Sequence, residues 1–350
     1  MDWINHLTAS QQFLVFSIVK IVCVFGVILP TFAYTVMAER RISAWIQDRI
    51  GPNRVGPFGI LQPMADGVKA LLKEDFMPAH VRKIYFCLAP ALTVIPALLT
   101  VAVIPFGSTL GNASNKMVIA DLNVGILYTF GIVSLGVYGI VLAGYAANSK
   151  YPFFGGIRAS AQMISYEIAM GMSVIPVFML VGNLNLSSVI SYQTDGLLSW
   201  LIFKQPIAFI IFMISAFAET NRMPFDLPES EQELVGGYNV EYSSMKFAMF
   251  FMGEYFNLIA SSAMMVTLFL GGWTLPFFGL DQPATSIGVG LLHIGIFFGK
   301  MLGLIILTIW VRWMFPRFRY DQLMDLGWRR FVPLALANIV ITATILWLRS

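Results

Sequence analysis

Residues 122–147 read LNVGILYTFGIVSLGVYGIVLAGYAA, a run of 26 residues without a charged side chain. About 20 apolar residues in a helix suffice to cross the ~30 Å hydrocarbon core of a bilayer, so this stretch predicts a transmembrane helix. Similar apolar runs lie near 12–37, 84–106, 160–182, 199–218, 246–272, 286–311 and 331–348. We therefore predict an all-α polytopic membrane protein with about eight transmembrane helices, forming a single integral membrane domain over residues 1–350.

The composition supports this class. Hydrophobic residues make up 57% of the chain, charged residues only 12%, and the mean hydropathy is +0.75, values outside the range of soluble domains. The two cysteines and three histidines are scattered, so this chain alone predicts neither an iron–sulfur cluster nor a zinc site. Nucleotide-binding glycine motifs are missing as well, and the charge pattern gives no sign of nucleic-acid binding.

Basic residues predict the orientation. Of the 22 Lys and Arg residues, 17 lie in or beside loops on one side, and two, Lys20 and Lys300, lie within spans. The other side has only Lys116, Lys204 and Arg349. Because cytoplasmic loops are enriched in Lys and Arg, we predict that both termini are periplasmic and that the two long loops, 38–83 and 219–245, are cytoplasmic.

The first long loop contains DRIGPNRVGPFGILQPMADGVKALLKED at 48–75. Its glycines and prolines predict several turns up to Gly59. Beyond them, Ile60, Met64, Val68 and Leu71 recur at helical spacing, which predicts a short amphipathic helix lying along the membrane interface. Such a helix either covers the membrane spans or forms a doorway for a lipid-soluble ligand.

The second long loop is acidic. Residues 219–242 contain six of the 19 Asp and Glu residues of the chain: Glu219, Asp226, Glu229, Glu231, Glu233 and Glu241. Closely spaced carboxylates repel one another and can hold protons near neutral pH, so the loop is typical of proton-handling proteins. The alternative is a solvated acidic face. The apolar, proline-rich stretch MPFDLP at 223–228 favours packing into protein.

Two further carboxylates, Glu167 and Glu254, lie within predicted spans. A charged residue inside a span is energetically costly and usually faces a pathway or an ionic partner. The pathway interpretation makes both residues candidates for proton transfer. The alternative is a structural ion pair, for which Lys300 is the candidate partner.

With both loops in view, the chain resembles the bacterial form of the membrane-embedded H subunit of respiratory complex I, the proton-translocating NADH:quinone oxidoreductase. GPNRVGPFGILQPMADGVKALLKED at 51–75 resembles the first signature of the family, and PFDLPESEQELVGGYNVEYSS at 224–244 resembles the second. AERR at 38–41 ends the first span, as in the family. Ser230 departs from the Gly or Ala that is more common there.

The resemblance implies a subunit at the junction of the peripheral and membrane arms, which forms part of the quinone-binding cavity and couples quinone reduction to proton translocation. The implied cavity residues are Glu39, Arg40, Arg49, Arg54, Asp66, Lys69, Arg222 and Phe225. The implied proton path consists of Glu167, Glu219, Glu229, Glu231, Glu233, Glu241 and Glu254.

The resemblance also implies the setting of the subunit. Quinone would be the substrate, whereas NADH, FMN and the iron–sulfur clusters would be bound by partner subunits of the two arms, so that this chain has no complete active site alone. Its location would be the bacterial inner membrane, in contact with lipid. Two alternatives stay open from the residues: a subunit of a related membrane-bound hydrogenase, or a stand-alone ion transporter.

The acidic loop generates a prediction. If Glu231 belongs to the coupling site, Glu231→Gln should lower inhibitor-sensitive NADH:quinone reductase activity in membranes, because the glutamine cannot take up a proton. NADH:ferricyanide activity and assembly on a native gel should be unchanged. Full retention of quinone reduction and proton pumping would identify the loop as a solvated acidic face.

Overall fold

The structure, a computed structural model, describes residues 9–109, 116–228, 235–277 and 279–349, and it is built almost entirely from helices. In chain order these are α1 (Ala9–Ile46), α2 (Gln62–Leu72), α3 (Lys83–Thr100), α4 (Gly125–Ala146), α5 (Lys150–Val181), α6 (Leu186–Ser191), α7 (Leu201–Lys204), α8 (Pro206–Glu219), α9 (Ser244–Phe269), α10 (Ile287–Met314), α11 (Tyr320–Asp325) and α12 (Val332–Arg349). Two short strands, β1 (Gly107–Thr109) and β2 (Lys116–Met117), pair antiparallel.

Seven helical segments within the described ranges are long and apolar enough to cross a membrane. Six of them correspond to α1, α3, α4, α5, α9 and α10, and the seventh is the continuous stretch Tyr320–Arg349, in which the π-helical turn Leu326–Phe331 joins α11 to α12. The predicted all-α polytopic membrane protein is confirmed. The amphipathic helix expected after Gly59 is α2.

The span predicted over 199–218 differs from the expectation. It divides into α7 and the 14-residue α8, which at 1.5 Å per residue is only about 21 Å long. The division lies at Gln205, because the residue before a proline disfavours helical geometry and Pro206 begins α8. The Gln205 side chain accepts a hydrogen bond from Asn338 and donates one to Thr342, each at 3.0 Å.

Helix α5 packs against α4, α8 and α12. Its approach to α4 depends on two glycines, Gly144 and Gly156. A Cβ atom at Gly144 would lie 2.6 Å from the carbonyl oxygen of Pro152 and 3.2 Å from the Cα atom of Gly156. Small residues allow this close backbone contact between membrane helices.

The two long loops that were predicted to be cytoplasmic contact each other and two shorter loops. Lys246 and Asp75 form an ion pair at 2.8 Å, and the Phe318 amide donates to the carbonyl of Pro224 at 3.1 Å. Asn148 donates to the carbonyl of His80 at 3.2 Å. The described parts of loops 47–82, 147–149, 220–243 and 315–319 therefore lie at one end of the bundle, which we call the loop end.

Lys300 of α10 has a different role from the one expected. Its Nζ donates to the carbonyl oxygens of Leu270, Gly272 and Thr274 at 2.7, 3.0 and 2.6 Å, and it lies 4.3 Å from the centre of the Trp200 ring. The expectation that Lys300 pairs with Glu167 or Glu254 is therefore wrong. The ammonium group supplies donors to carbonyls beyond the end of α9 that the helix itself cannot satisfy.

We expect Lys300→Met to lower the free energy of unfolding by about 1–3 kcal/mol, because carbonyls that Lys300 satisfies lose their donor. The measurement is the thermal denaturation of the detergent-solubilised protein in its native assembly. Lys204→Met is the matched control, since Lys204 also lies over an aromatic ring, that of Tyr192 at 4.5 Å, but is exposed. Equal effects of the two substitutions would contradict the capping role.

Candidate functional site

Four charged side chains and one tyrosine form a cluster that joins four segments of the bundle near its loop end. Its members are Glu39 on α1, Arg222 in the loop after α8, Glu254 and Tyr255 on α9, and Arg312 on α10. Arg222 Nη1 lies 3.0 Å from Glu39 Oε2, and Arg222 Nε lies 2.9 Å from Glu254 Oε1. Arg312 donates to Glu39 Oε1, and the Tyr255 hydroxyl donates to Glu39 Oε2 at 2.7 Å. We call these five residues the charge cluster.

Opposite charges balance in the charge cluster, which contains two arginines and two glutamates. Arg222 is only 1% exposed. Burial by itself would lower the pKa of Arg222, but the carboxylates of Glu254 and Glu39 more than offset this effect and raise the pKa. The Tyr255 ring, 4.1 Å from the guanidinium carbon, adds a cation–π contact. Arg222 therefore remains a cation in the interior of the protein.

The turn that follows α8 directs Arg222 inward. Helix α8 ends at Glu219, and Asn221 has φ near +50°, a left-handed conformation that Asn adopts more readily than most residues. The turn continues with a hydrogen bond from the Phe225 amide to the Arg222 carbonyl at 2.7 Å. The local sequence thus brings a buried arginine to the place where α1, α9 and α10 meet.

A cavity of about 560 Å³ lies between α1, α2 and α9, beside the charge cluster. Much of its lining is apolar, with the side chains of Phe32, Val36, Leu71, Phe247, Phe251 and Met252 among the contributors. Its polar side chains include Arg40, Asp66 and Lys69. Tyr255 also lines it, and this residue connects the cavity to Glu39 and Arg222.

Helix α2 forms one wall of the cavity and is attached to the bundle at two places. Arg40 Nη1 lies 2.7 Å from Asp66 Oδ2, which links α1 to α2. The Ser244 hydroxyl oxygen lies within hydrogen-bond distance of the carbonyl oxygens of Ala70 and Lys73, at 3.0 and 2.9 Å, which links α2 to the start of α9. The cavity therefore depends on contacts that are distant in sequence.

The structure brings only part of the predicted quinone-binding set together. Arg40, Asp66 and Lys69 line the cavity, and Glu39 and Arg222 lie behind it in the charge cluster.

The other three predicted residues lie elsewhere. Arg49 donates to Gln47 Oε1 at 2.7 Å, and Arg54 is exposed in the loop before α2. Phe225 is buried against the rings of Tyr166 and Phe318, with centroids 5.6 and 5.4 Å away. None of the three is among the residues that line the cavity.

The carboxylates of the predicted proton path form a partial series. Glu254 and Glu219 border one small cavity of about 30 Å³, and Glu219 borders a second of about the same volume. Asn257 lines both. Phe130 lines both the second cavity and an open groove of about 930 Å³ between α4 and α5, and Glu167 also lines this groove. Glu167 accepts a hydrogen bond from the Ser134 hydroxyl.

The carboxylates of the acidic loop that the structure describes, apart from Glu219, do not extend this series. Glu229, Glu231 and Glu233 lie outside the described residues. Glu241 lies 3.8 Å from the Nε2 atom of His80, and it does not line the small cavities that Glu219 borders. Asp226 pairs with Arg317 at 3.0 Å.

Sequence reasoning missed three residues that the structure places at the site: Tyr255, Asn257 and Arg312. Asn257 follows Glu254 by three positions, a spacing that places both on one face of a helix. Arg312 lies in the last turn of α10. In the sequence it is only one of the 17 basic residues in or beside the loops of one side. Nothing in the pattern singled out Tyr255, since its contacts are with Glu39 and Arg222, far away in sequence.

Potential metal ligands are dispersed in the part of the chain that the structure describes. Within those ranges, His, Cys, Asp and Glu residues form no group of three or more placed to hold a metal ion. The side chains at the cavity and the charge cluster offer apolar contact, hydrogen bonding and exchange of ionic partners.

A family model and individual proteins similar to this chain agree on one family. The family model described as NADH dehydrogenase matches residues 19–343. The NADH-quinone oxidoreductase H subunit, copy 1, of Cytophaga hutchinsonii is 48% identical over 336 residues, covering 95% of this chain and 96% of that protein. The protein of the same name from Geobacter metallireducens is 51% identical over 332 residues, covering 94% and 96%. NADH-quinone oxidoreductase subunit 8 of Rhodothermus marinus is 49% identical over 327 residues, covering 91% and 94%.

The balance of the charge cluster generates a prediction. Arg222→Met should destabilise the protein by about 3–5 kcal/mol, because it leaves buried carboxylates without their countercharge. Adding Glu254→Gln to that variant removes one negative charge and should recover part of the loss. The measurement is the amount and thermal stability of the assembled protein on native gels. A double variant no more stable than Arg222→Met would show that charge balance does not govern the cluster.

Proposed function

Because the chain belongs to the family of the NADH-quinone oxidoreductase H subunit, we propose that it forms part of the quinone-binding cavity of that enzyme and couples quinone reduction to proton translocation. The chain is a multi-pass membrane subunit of the enzyme. The observation that carries the proposal is the cavity between α1, α2 and α9, together with the charge cluster that Tyr255 connects to it.

The lining of the cavity suits a quinone. An isoprenoid tail requires an apolar corridor, whereas the head group requires a few polar groups that fix its orientation. Phe32, Phe247 and Phe251 are among the residues that supply the first requirement, and the Arg40–Asp66 pair and Lys69 supply the second.

The position of α2 supports access from the membrane. Met64, Val68 and Leu72 of this helix are 68%, 53% and 82% exposed, whereas Asp66 and Lys69 line the cavity. An amphipathic helix with apolar residues on one face and polar residues on the other lies in the membrane interface, with its apolar face toward the acyl chains. A quinone dissolved in the bilayer would enter beside α2.

Reduction of a quinone to a quinol consumes two electrons and two protons. The electrons come from NADH through FMN and iron–sulfur clusters in partner subunits, which supply the redox chemistry. This chain contributes binding, orientation and electrostatics. The negative charge that arrives in the cavity is met by the charge cluster, and the response passes along Glu254, Glu219 and Glu167 toward the partner subunits of the membrane arm.

The arrangement in the cell follows from the same proposal. The loop end, rich in Arg and Lys, would face the cytoplasm, where the peripheral arm contacts the membrane arm. Both termini would then be periplasmic, in the inner membrane of a bacterium. The groove that contains Glu167 would face a neighbouring subunit, since a carboxylate within a span is costly against lipid.

A photoreactive quinone analogue tests the proposal directly. In the intact enzyme, we expect it to label peptides from α1, α2 or α9, and excess quinone should suppress the labelling. Labelling confined to other subunits would overturn the proposal for this chain.

Kinetics provide a second test. Asp66→Asn should raise the KM for quinone by roughly two- to fivefold, the range for loss of a half-exposed ion pair worth at most about 1 kcal/mol. NADH:ferricyanide activity should stay at the wild-type level, because that reaction does not use the cavity. Lys150→Met, which removes an exposed charge at the start of α5, is the matched control. An unchanged KM in Asp66→Asn would exclude the pair from quinone binding.

A further inference from the structure

Tyr255 is in contact with both parts of the site. It lines the cavity between α1, α2 and α9, and its hydroxyl donates to Glu39 Oε2 at 2.7 Å. The face of its ring lies 4.1 Å from the Arg222 guanidinium. Among the lining residues that the structure describes, it is the one that also belongs to the charge cluster. We propose that Tyr255 is a positioning residue that transmits the redox state of the bound quinone to the charge cluster.

This role rests on the proposed function and follows from the chemistry of the two ligand states. A quinone has carbonyl oxygens, which only accept hydrogen bonds, whereas a quinol has hydroxyl groups, which also donate. A tyrosine hydroxyl has one proton to donate and lone pairs with which to accept. Tyr255 therefore donates to one acceptor at a time, and in the structure that acceptor is Glu39.

The two ligand states make different demands on this proton. A quinone carbonyl competes with Glu39 for it. A quinol hydroxyl instead donates to the Tyr255 oxygen and leaves the Tyr255 proton with Glu39. The hydrogen bond between Tyr255 and Glu39 thus weakens with quinone and is restored with quinol, without any bond to the ligand being made or broken covalently.

The charge cluster converts this change into a shift of ionic partners. Glu39 accepts from Tyr255, Arg222 and Arg312, and Arg222 is shared between Glu39 and Glu254. When Glu39 loses the Tyr255 donor, it attracts Arg222 more strongly. Glu254 then loses part of its countercharge, and Glu254 borders the small cavity that it shares with Glu219. The electrostatic signal leaves the quinone cavity at this point.

Tyr255→Phe isolates the proposed role, because it keeps the ring against Arg222 and removes only the hydroxyl. We expect the intact enzyme to assemble and its KM for quinone to change less than the kcat for quinone reduction. The number of protons translocated per NADH oxidised should fall in reconstituted vesicles. The kcat should fall about tenfold, as expected for loss of one hydrogen bond to a charged group.

Tyr166→Phe is the matched control. Tyr166 is also buried, and its hydroxyl donates to the carbonyl of Leu323 at 2.8 Å, but it does not line the cavity. Its substitution should give a comparable loss of thermal stability with a wild-type proton-to-NADH ratio. An equal fall of this ratio in both variants would reduce Tyr255 to a structural role and overturn the inference.

A double variant tests the connection to Glu39. If Tyr255 acts through this carboxylate, Tyr255→Phe should have little further effect on the proton-to-NADH ratio in a Glu39→Gln background, because effects on one shared interaction are not additive. Additive losses would contradict the inference.

The photoreactive quinone separates the two proposals. Labelling of the cavity with an unchanged proton-to-NADH ratio and kcat in Tyr255→Phe would overturn the role of Tyr255 and leave the quinone cavity standing. Absence of labelling in the unsubstituted chain would overturn both.

Discussion

The pairing of one arginine with two carboxylates inside an apolar bundle is the interaction on which the rest of the site depends. Removing a charge from water is costly, and only close partners of opposite charge repay that cost. Arg222 is held between Glu39 and Glu254, so α1, α9 and the loop after α8 must keep their relative positions. Arg312 adds α10 to the same network.

The cavity between α1, α2 and α9 is a consequence of the same arrangement. Helices α1 and α9 are held together by Glu39 and Tyr255, and α2 lies across their ends, attached through Asp66 and through the Ser244 hydroxyl. Because the charge cluster has no net charge, an event in the cavity can redistribute its ionic contacts at modest cost. A neutral but tightly connected cluster is well suited to transmitting a change in charge, because the arrival of one negative charge changes which ionic partners lie closest to each other.

Polar groups deep in the bundle follow the same rule as the charge cluster. Lys300 satisfies three backbone carbonyls near the end of α9, and Gln205 is matched by Asn338 and Thr342. In an apolar surrounding each unsatisfied polar group is costly, and these groups therefore have partners within the chain. This rule explains why Lys300 contacts carbonyls and why a carboxylate partner was the wrong expectation for it.

The sequence by itself determined the class of the protein, the approximate number and position of its spans, the amphipathic helix α2 and the family. These properties follow from the length and spacing of apolar runs and from two long motifs, which are local in the chain. Through the resemblance to the family, it also identified residues that lie at the cavity or the charge cluster, among them Arg222 and Asp66.

Only the tertiary structure decided which of these residues meet. The contacts of Tyr255 with Glu39 and Arg222 join α9 to α1 and to the loop after α8, and no local pattern records such a contact. The same reason explains why Phe225, which the resemblance implied as a cavity residue, instead packs with aromatic rings of α5 and of the loop before α11. Hydrophobic periodicity reports which residues enter the membrane, whereas the pairing of buried charges depends on how the helices are packed against one another.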